Sequence, residues 1–582
     1  MKHLEHDVDF CVVGGGLAGV CAALAAARRG IRVAILQDRP VFGGNASSEI
    51  RMHVCGADRN AIPNVRETGI VEEIRLENRR RNPQQSYSMW DLLLYEKIKR
   101  EPQIRSFLNC SCTDAGMEGT RIRSVTGWQL TTETWHTVNA ALFADCSGDG
   151  ILAPLTGALY RVGREARAEF GESIAPEQAD RRTMGMTCLY EARDTGHPCP
   201  FEPPSWAYTF KTDAELPYGS RYGQDWFKAG HWWIELGGEQ DSIHDTEALR
   251  DELLKIVLGI WDHIKNQGDH GAANWALDWI GFLPGKRESR RLVGEHILTQ
   301  NDIRAGGRFD DVAAYGGWTM DDHNPAGFWA VKIAQPATIF HECPSPYGIP
   351  FRSLYSRNVP NLFMAGRNIS ATHAAISSTR VIATCAVMGE AVGTAAALAV
   401  SRKVSIRDLQ RGHIRDLQQA LLAGDCYLPG IAQAMPEPTR SAVLTASSGD
   451  PAPLLDGINR PVGDDEHAWT GRVGDALEFR WPTARRLSRI TLVFDSNLAK
   501  PFLFSHMHKW YPDIPLAPPP ELVKAFTLET RRDGAWAPLQ TVTDNYQRLF
   551  KAACDAETDG LRVRFQATWG SEPVRVFAFY VE

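Results

Sequence analysis

The 582-residue sequence predicts an α/β protein of several domains that ends in an all-β part. Three observations support this fold class. A strand–turn–helix–strand pattern begins at Asp9, a second strand–turn–helix pattern occupies residues 359–400, and apolar and polar residues alternate from about residue 454 to the end. A chain of this length exceeds what one hydrophobic core supports, so it must divide into domains.

The N-terminal pattern predicts a dinucleotide-binding βαβ unit. Residues 8–13, "VDFCVV", form an apolar run that ends at glycines, as buried parallel strands do. A small, apolar helix follows Gly19 and ends near Gly30, and "IRVAIL" is the second strand. The glycines of "GGGLAG" let backbone N–H groups approach a pyrophosphate, to which the helix N-terminus adds partial positive charge. Gln37, followed by Asp38, occupies the position where a carboxylate usually binds the ribose hydroxyls.

Further motifs indicate which dinucleotide is bound. They are "RPVFGGNASSEIR" after the second strand, "LFADCSGDGILAPLTGA", "GREARAEFGES", "ESRRLVGEHIL" and the late "VPNLFMAGRNISATHAA". Together with the βαβ unit they resemble the glutathione-reductase-like FAD-binding superfamily, and most closely its FAD-dependent oxidoreductase branch, over residues 8–400. The resemblance implies FAD, since NAD alone would not require the late strand–turn–helix. The turn Gly366-Arg367-Asn368 departs from the Gly-Asp that is common in the superfamily.

The resemblance also implies the cofactor-binding residues. Ser377, Ser378 and Thr379 are expected to cap the last helix, whose dipole would stabilise the reduced flavin. The expected FAD contacts are Gly14, Gly16, Ala18, Gly19, Gln37, Asp38, Arg39, Gly43, Gly44, Asn45, Ser47, Asp145, Ser147, Gly148, Gly366, Arg367, Asn368, Ser378 and Thr379.

The candidate catalytic residues follow from the chemistry of alcohol oxidation. An alcohol that loses a hydride must also lose its hydroxyl proton, which requires a base within hydrogen-bond reach, and histidine suits neutral pH. His373 follows the late glycine turn, and His53 and His341 are the next candidates. Tyr347 and Arg352 are predicted to orient the substrate.

Tryptophans and the C-terminal part suggest a carbohydrate substrate. Tryptophan faces stack on pyranose rings, although most of these side chains are expected to fill an irregular domain. The C-terminal part loosely resembles galactose-binding-like, discoidin-type jelly rolls, which commonly bind carbohydrate. Of 17 tryptophans, nine fall in one middle section: Trp206, Trp226, Trp232, Trp233, Trp261, Trp275, Trp279, Trp318 and Trp329.

These observations favour a small-molecule oxidoreductase that acts on a secondary alcohol of a sugar, glycoside or polyol. Two alternatives stay open. The scaffold could act on a C–C bond, as ketosteroid dehydrogenase-like and fumarate reductase-like relatives do, or it could belong to a carbohydrate-binding protein with a non-catalytic FAD. The sequence is compatible with a homo-oligomer and does not identify the electron acceptor.

The predicted organisation has an inserted domain within the FAD-binding fold. Residues 1–162 and 340–405 are predicted to form the FAD-binding domain and residues 163–339 a Trp-rich substrate domain. Residues 406–453 are predicted to be a helical segment with a Pro/Ser/Ala/Gly linker, and residues 454–582 a β-sandwich.

Composition argues against several other classes of protein. A net charge of −7 without a long Lys/Arg run argues against nucleic-acid binding. The apolar stretch around Glu390 is rich in Ala and Gly and predicts a buried helix, so no membrane partner is expected. The scattered 12 cysteines and the absence of a secretory pattern in the first residues favour the cytoplasm. No metal site is predicted, because three pairs lack completing ligands: Cys110 with Cys112, His263 with His270, and His506 with His508.

Overall fold

The computed structural model describes residues 1–59, 62–218, 228–500, 502–505 and 516–582. Trp226, His506 and His508 lie outside the described residues.

The N-terminal part forms a mixed sheet with helices on it. Strand β1 pairs in parallel with β2 and β6, and β2 pairs in parallel with β3, so the predicted βαβ unit is present. Antiparallel β4 and β5 extend the sheet beyond β6. Its elements are β1 (Lys2–Val13), α1 (Leu17–Ala27), β2 (Val33–Leu36), α2 (Ile70–Arg81), α3 (Tyr87–Arg100), β3 (Ile104–Phe107), β4 (Cys110–Glu118), β5 (Arg121–Gln129) and β6 (Thr134–Asp145).

The middle section consists of short strands around a core of its own. Trp233 and Trp261 are fully buried in that core, which fits the expectation that most tryptophans fill space. A π-helical turn, His263–Gln267, extends α6. The elements are α4 (Leu152–Thr156), β7 (Tyr160–Arg161), α5 (Arg167–Phe170), β8 (Met186–Thr187), β9 (Tyr190–Asp194), β10 (Glu235–Leu236), α6 (Thr246–Asp262), β11 (Trp275–Ile280), β12 (Gly285–Lys286), β13 (Arg291–Leu292), α7 (Gln300–Arg304), β14 (Val312–Gly316), β15 (Met320–His323), β16 (Thr338–His341) and β17 (Tyr347–Pro350). Strand β16 pairs with β15 and crosses the predicted boundary between residues 339 and 340.

The chain then returns to the first sheet. Strand β18 (Leu362–Met364) pairs in parallel with the end of β6 and is followed by α8 (His373–Thr379), α9 (Ile382–Arg402) and α10 (Ile406–Leu422). Within the described residues, α9 alone has the length and hydropathy of a membrane span, with a mean hydropathy of 1.6 over a window that is 89% buried. It packs on α1 as a core helix, in agreement with the sequence-based expectation.

The C-terminal part is all-β, as the alternating pattern predicts. The sheet order is β20-β25-β21-β24-β22-β23, with β19 on β21, and every pairing is antiparallel. Its elements are α11 (Glu437–Arg440), β19 (Val443–Ala446), β20 (Trp469–Arg472), β21 (Ala476–Phe494), β22 (Val523–Arg532), β23 (Ala535–Val542), β24 (Leu549–Thr568) and β25 (Pro573–Val581). The stretch predicted as a linker carries α11 and β19, and the buried Thr439 hydroxyl donates to the Val581 carbonyl, so this stretch is part of the sheet structure.

The all-β part is joined to the rest of the chain by buried hydrogen bonds, an ion pair and apolar contacts. Arg66 pairs with Glu72 and also donates to the carbonyl of Ser496, and Arg548 pairs with Asp425 at 2.8 Å. Phe504 reaches back into the N-terminal core. The two parts therefore share a buried interface.

Candidate functional site

A cavity of about 980 Å³ lies where segments distant in sequence meet. Its lining includes the loop 14–18, residues 43–45, residues 147–149, the turn 366–367 and the start of α9. Residues of the middle section, including strand β15, also belong to the lining. This volume is near the upper limit of about 1,000 Å³ for small-molecule sites, as a large cofactor requires.

The glycine loop packs closely on neighbouring backbone at the edge of the cavity. Gly14 has a φ of 106°, and a Cβ there would lie 2.4 Å from the Cys146 carbonyl carbon. Gly16 forms a bridge with Gly43, and a Cβ on Gly44 would lie 3.0 Å from the Gly16 Cα. Helix α1 begins after Gly16 without a side-chain cap, so the helix N-terminus is open to an anion at the cavity. These features fit the pyrophosphate of FAD.

Gln37 lines the cavity, and its side-chain amide is also hydrogen-bonded within the protein. Its Oε1 accepts from the Gly15 N–H at 2.7 Å and its Nε2 donates to the Val41 carbonyl, so the amide braces the loop. Asp38 and Glu49 also line the cavity and offer carboxylates for the ribose hydroxyls.

Most of the predicted cofactor residues line the cavity. They are Gly14, Gly16, Ala18, Gln37, Asp38, Arg39, Gly43, Gly44, Asn45, Ser147, Gly148, Gly366 and Arg367.

The other predicted cofactor residues lie behind the lining. Asp145 accepts from the N–H groups of Ser147 and Leu152 and from Asn368, so Asp145 and Asn368 shape the turn after β6. Gly19 leaves room for the Gly14 carbonyl, which would be 1.9 Å from a Cβ at Gly19. Ser47, Ser378 and Thr379 are buried and also lie outside the lining.

Asp149 joins several segments of the cavity wall and was not among the predicted residues. It pairs with Arg367 at 2.7 Å and with Lys286 at 2.9 Å and accepts from the Ser289 hydroxyl. Burial opposes its ionisation, but the two cations hold the pKa of Asp149 well below its usual range. In the sequence, the feature that indicates Asp149 is its place in "SGDG", directly after the predicted cofactor residues Ser147 and Gly148.

The start of α9 faces the cavity without a side-chain cap. Its N-cap is Val381, and Val381 and Ile382 line the cavity. The cluster Ser377–Thr379 instead ends α8, so it does not cap the long helix as predicted. The α9 dipole nevertheless directs positive potential into the cavity.

His373 lies outside the cavity lining, between two carboxylates. Its Nδ1 donates to Glu288 at 2.8 Å and its Nε2 donates to Asp322 at 3.1 Å. Burial opposes a charged ring, but Glu288 and Asp322 raise the pKa of His373 to about 10. At neutral pH the ring is an imidazolium without a free lone pair, so this geometry does not support the predicted role of a base.

Among the other predicted catalytic residues, only His53 lines the cavity, with its ring edge-on to Trp232 at 6.3 Å between centroids. The fully buried Tyr347 hydroxyl bonds the Ser378 hydroxyl at 2.5 Å. Arg352 forms an ion pair with Asp311, and His341 on β16 is also away from the lining.

Strand β15 supplies polar residues that were not predicted. Side chains alternate along a strand, so Asp321 and His323 face the cavity while Asp322 faces His373. The lining near them also includes Arg287 and Arg380. In "WTMDDH", Asp321 and His323 are two positions apart, which places both side chains on one face of a strand. This spacing is the feature of the sequence that indicates them.

His323 is held by a buried carboxylate. Its Nδ1 lies 2.5 Å from Glu235 Oε2, and Glu235 also accepts from the Gly185 N–H. The His323 Nε2 lies 3.4 Å from Asp321 Oδ1. Burial opposes ionisation of Asp321, but His323, Arg380 and Arg287 lower its pKa to about 2. This arrangement is a carboxylate–histidine pair with one ring nitrogen directed to a charged cavity wall.

Aromatic side chains frame the same end of the cavity. Trp232, Trp318, Phe282 and Phe340 belong to the lining, and Phe282 and Phe340 are also exposed to solvent. The remaining described tryptophans of the middle section lie outside the lining. Two of the predicted tryptophans therefore contribute to the site.

Comparison with solved structures gives partial matches. The family 32 carbohydrate-binding module from Streptococcus pneumoniae EndoD is 12% identical and covers 24% of this chain and 94% of its own, with a TM-score of 0.19. The family 32 module from C. perfringens NanJ, in complex with galactose, is 10% identical and covers 25% of this chain and 95% of its own, with a TM-score of 0.19. L-proline dehydrogenase from P. horikoshii is 15% identical and covers 25% of this chain and 24% of its own, with a TM-score of 0.17. At such TM-scores these likenesses carry no argument about function.

Comparison by sequence is decisive for the family. No curated protein matches the chain. The family described as FAD dependent oxidoreductase matches residues 9–421, which include the glycine loop, β15 and α9. The cradle of glycines, open helix N-termini and Arg367 fits the cofactor of that family. The chain belongs to the FAD dependent oxidoreductase family and is an FAD-dependent enzyme.

Proposed function

We propose that this enzyme oxidises a secondary alcohol of a sugar, glycoside or polyol. The observation that carries the proposal is the Glu235–His323 pair at the end of the cavity. A bound FAD supplies a hydride acceptor at its flavin ring. The alcohol must also lose its hydroxyl proton, and a base is therefore required at the cavity.

His323 meets this requirement. Both His373 nitrogens make hydrogen bonds to carboxylates, at 2.8 and 3.1 Å, whereas His323 makes one such bond, from Nδ1 to Glu235, and its Nε2 lies farther from Asp321, at 3.4 Å. In the neutral ring with Nδ1 donating to Glu235, Nε2 carries the lone pair that accepts the hydroxyl proton. Glu235 then stabilises the imidazolium, as the carboxylate does in an Asp–His pair. Asp321 is ionised at neutral pH and lies 3.4 Å from Nε2, so it adds to this stabilisation.

The aromatic frame supports a ring-shaped, polar substrate. Trp232, Trp318 and Phe340 present apolar faces to the C–H faces of a pyranose or a cyclic polyol. Arg287, Arg380 and His53 supply hydrogen-bond donors for hydroxyl groups. A few polar groups within an aromatic lining are typical of a site that orients a small molecule.

Anaerobic bleaching of the flavin tests the proposal. The purified holoenzyme is mixed with a panel of glycosides and polyols, and the flavin absorbance near its visible maximum is followed. We expect at least one member to bleach the wild type. His323→Asn should slow this reduction by about 10²–10⁴-fold, the usual contribution of a general base, without loss of bound FAD.

His413→Asn serves as the matched control, because His413 is a half-buried histidine on α10 away from the cavity. The flavin of the His413→Asn variant should be reduced at the wild-type rate. An unchanged rate in His323→Asn would remove His323 from the reaction. Failure of the whole panel would remove the sugar or polyol substrate.

A second candidate is oxidoreduction of a C–C bond next to a carboxylate. Arg287 and Arg380 on the cavity favour it, since guanidinium groups bind carboxylates in two-point contacts. Bleaching by saturated acids, or reoxidation of the reduced enzyme by enoates but not by keto sugars, would favour this candidate over alcohol oxidation.

We also propose that the enzyme works in the cytoplasm. All 12 cysteines are free, and most of them are buried. Reduced thiols persist in reducing compartments. Localisation of a tagged chain in its own cells tests this proposal, and recovery from an extracellular fraction would contradict it.

A further inference from the structure

A second cluster of chemistry-bearing side chains lies in the middle section, away from the cavity. Asp213 comes from a short 3₁₀ turn, His263 from the π-helical turn after α6, and His270 from the loop that follows. None of the three belongs to the cavity lining. The histidines are buried and the aspartate is half exposed, with 2%, 5% and 47% of the side-chain surface exposed for His263, His270 and Asp213.

The three side chains direct their ligand atoms to one point. His263 Nε2 lies 2.8 Å from Asp213 Oδ1 and 3.1 Å from His270 Nε2, and His270 Nε2 lies 3.5 Å from Asp213 Oδ1. Zinc bonds of about 2.0–2.1 Å in a tetrahedron place neighbouring ligand atoms about 3.3–3.4 Å apart. The triangle therefore has nearly the dimensions of one face of a zinc coordination shell.

The tautomer of His263 supports a metal ligand. Its Nδ1 lies 2.8 Å from the Phe210 carbonyl oxygen and donates to it. A backbone carbonyl at the far nitrogen is the usual support of a metal-bound histidine, and it leaves the Nε2 lone pair for the metal. Without a cation between them, this lone pair and the Asp213 carboxylate would repel each other at 2.8 Å, unless His263 carried a second proton.

The loop that carries His270 is held in place by contacts that converge on it. Lys265 Nζ donates to the carbonyls of Ala272, Ala273 and Trp275. A Cβ at Gly268 would lie 2.2 Å from His270 Nε2, so a side chain at this position would displace the ligand nitrogen. The π-helical turn is itself a feature that is enriched at functional sites.

We propose that Asp213, His263 and His270 bind a divalent transition-metal ion, Zn²⁺, with water in the fourth position on the exposed side of Asp213. Two imidazoles and a carboxylate are ligands that zinc accepts. The ion would join the Asp213 turn to the end of α6 and the His270 loop, and His263 lies 50 residues after Asp213 in the chain. The proposal is independent of the substrate of the enzyme.

Metal titration of the full-length holoenzyme tests the proposal. After treatment with a chelator, the protein is titrated with Zn²⁺ or with Co²⁺, whose visible absorption reports tetrahedral coordination. We expect one ion per chain and a higher thermal midpoint with Zn²⁺. Asp213→Asn and His270→Ala should weaken Zn²⁺ binding by at least about 100-fold, and Gly268→Ala should also weaken it.

His244→Ala is the matched control, because His244 is an exposed histidine in the same section. It should bind Zn²⁺ as the wild type does. Because Asp213 is half exposed, Asp213→Asn should keep the fold, and retained flavin absorbance in this variant checks that it does. Lack of stoichiometric binding by the wild type, or undiminished affinity in Asp213→Asn and His270→Ala, would overturn the proposal.

Discussion

The charges around His373 alternate in sign across the interface between α8 and the middle section. Glu288 bonds His373 and also approaches Arg291 at 3.1 Å, and Arg291 pairs with Glu165 at 2.9 Å. All four groups are buried, so each charge depends on its neighbours. His373 is thus a positioning residue for Asp322, the neighbour of Asp321 and His323 on β15.

Replacement of His373 should lower stability in a pH-dependent way. The folded pKa of about 10 exceeds the ordinary value of 6.5, so its contribution is complete below pH 6.5 and is lost as the pH rises through 10. His373→Asn should cost about 3–5 kcal/mol at pH 7, because two buried carboxylates lose their cation. Thermal midpoints from pH 6 to 10 should fall with pH in the wild type and less in the variant.

His296→Asn is the comparison variant, since His296 pairs with Asp302 at a partly exposed site. The His296→Asn replacement should lower the free energy of unfolding by about 1 kcal/mol or less. A His373→Asn variant as stable as the wild type at pH 7 would contradict the assignment of a buried imidazolium.

At this scale the sequence predicted the cofactor loop better than the catalytic residues. Gly14 and Gly16 are recognisable because backbone conformation and close approach demand glycine at fixed spacing. His323 depends on Glu235, 88 residues away, and no local pattern reports that contact. His373 was selected for its place after the glycine turn, but the carboxylates from distant segments decide its charge.

At the scale of elements, the crossing of α1 and α9 positions the cofactor loop. A Cβ on Gly389 would lie 2.0 Å from the Ala18 carbonyl oxygen, and one on Gly393 would lie 2.1 Å from that of Ala22. These glycines let the two backbones touch, and Ala18 lies in the cavity lining. The close backbone contacts between α1 and α9 therefore fix the position of the first turn of α1 relative to the cavity.

Gly389→Ala should separate these helices. Alanine normally stabilises a helix interior by up to about 1 kcal/mol relative to glycine, but here the backbone of α1 must move. We expect a net loss of about 1–3 kcal/mol and weaker FAD retention, measured by thermal unfolding and flavin release. Gly412→Ala on α10, where a Cβ meets no atom within 4 Å, should be neutral or stabilising. Equal behaviour of the two variants would contradict a tight crossing.

A buried carboxyl on α9 makes the same element sensitive to pH. Glu390 accepts from the Ile70 N–H at 2.7 Å, and burial raises the pKa of Glu390 to about 7. The folded protein therefore favours the protonated form, and stability falls as the pH rises from 4.5 through 7.

Glu390→Gln should remove this dependence while keeping an acceptor for Ile70. The variant should be more stable than the wild type by about 2–3 kcal/mol at pH 8 and similar at pH 5, measured as thermal midpoints. Glu247→Gln on the exposed side of α6 should leave the pH profile unchanged. A larger advantage of Glu390→Gln at pH 5 than at pH 8 would contradict the raised pKa.

Elements with strong patterns were predicted well, whereas α2 was missed. The helix predicted after Gly19 and the buried helix predicted around Glu390 correspond to α1 and α9. Helix α2, "IVEEIRLENRRR", is highly charged but mostly buried, because Glu72, Glu73 and Glu77 pair with arginines or Lys97 from neighbouring segments. Ion pairs between residues that are distant in sequence produce no periodic pattern in the sequence, so they do not reveal that such a helix is buried.

For the whole molecule, the all-β part completes the enzyme. Leu503 lines the cavity, and the adjacent Phe504 stacks on Trp90 at 4.7 Å between centroids. The Phe504 carbonyl accepts from the Val54 N–H. The part predicted as a C-terminal β-sandwich thus contributes to the cavity wall, and alternation along strands alone does not predict that contact.

Arg548→Ala should therefore affect cofactor retention. It leaves the buried Asp425 carboxylate unpaired, which costs about 3–5 kcal/mol, whereas Arg486→Ala breaks an exposed pair worth about 1 kcal/mol or less. Flavin release and loss of β structure should shift together to lower temperature in Arg548→Ala. Two separate transitions would show that the parts unfold independently.

The position of Leu503 has a consequence for biosynthesis. A ribosome makes the glycine loop first and this leucine more than 480 residues later, so the binding pocket stays incomplete until most of the polypeptide has emerged. The wall of the pocket is therefore complete only after the segment around Leu503 has been synthesised and has docked on the N-terminal part.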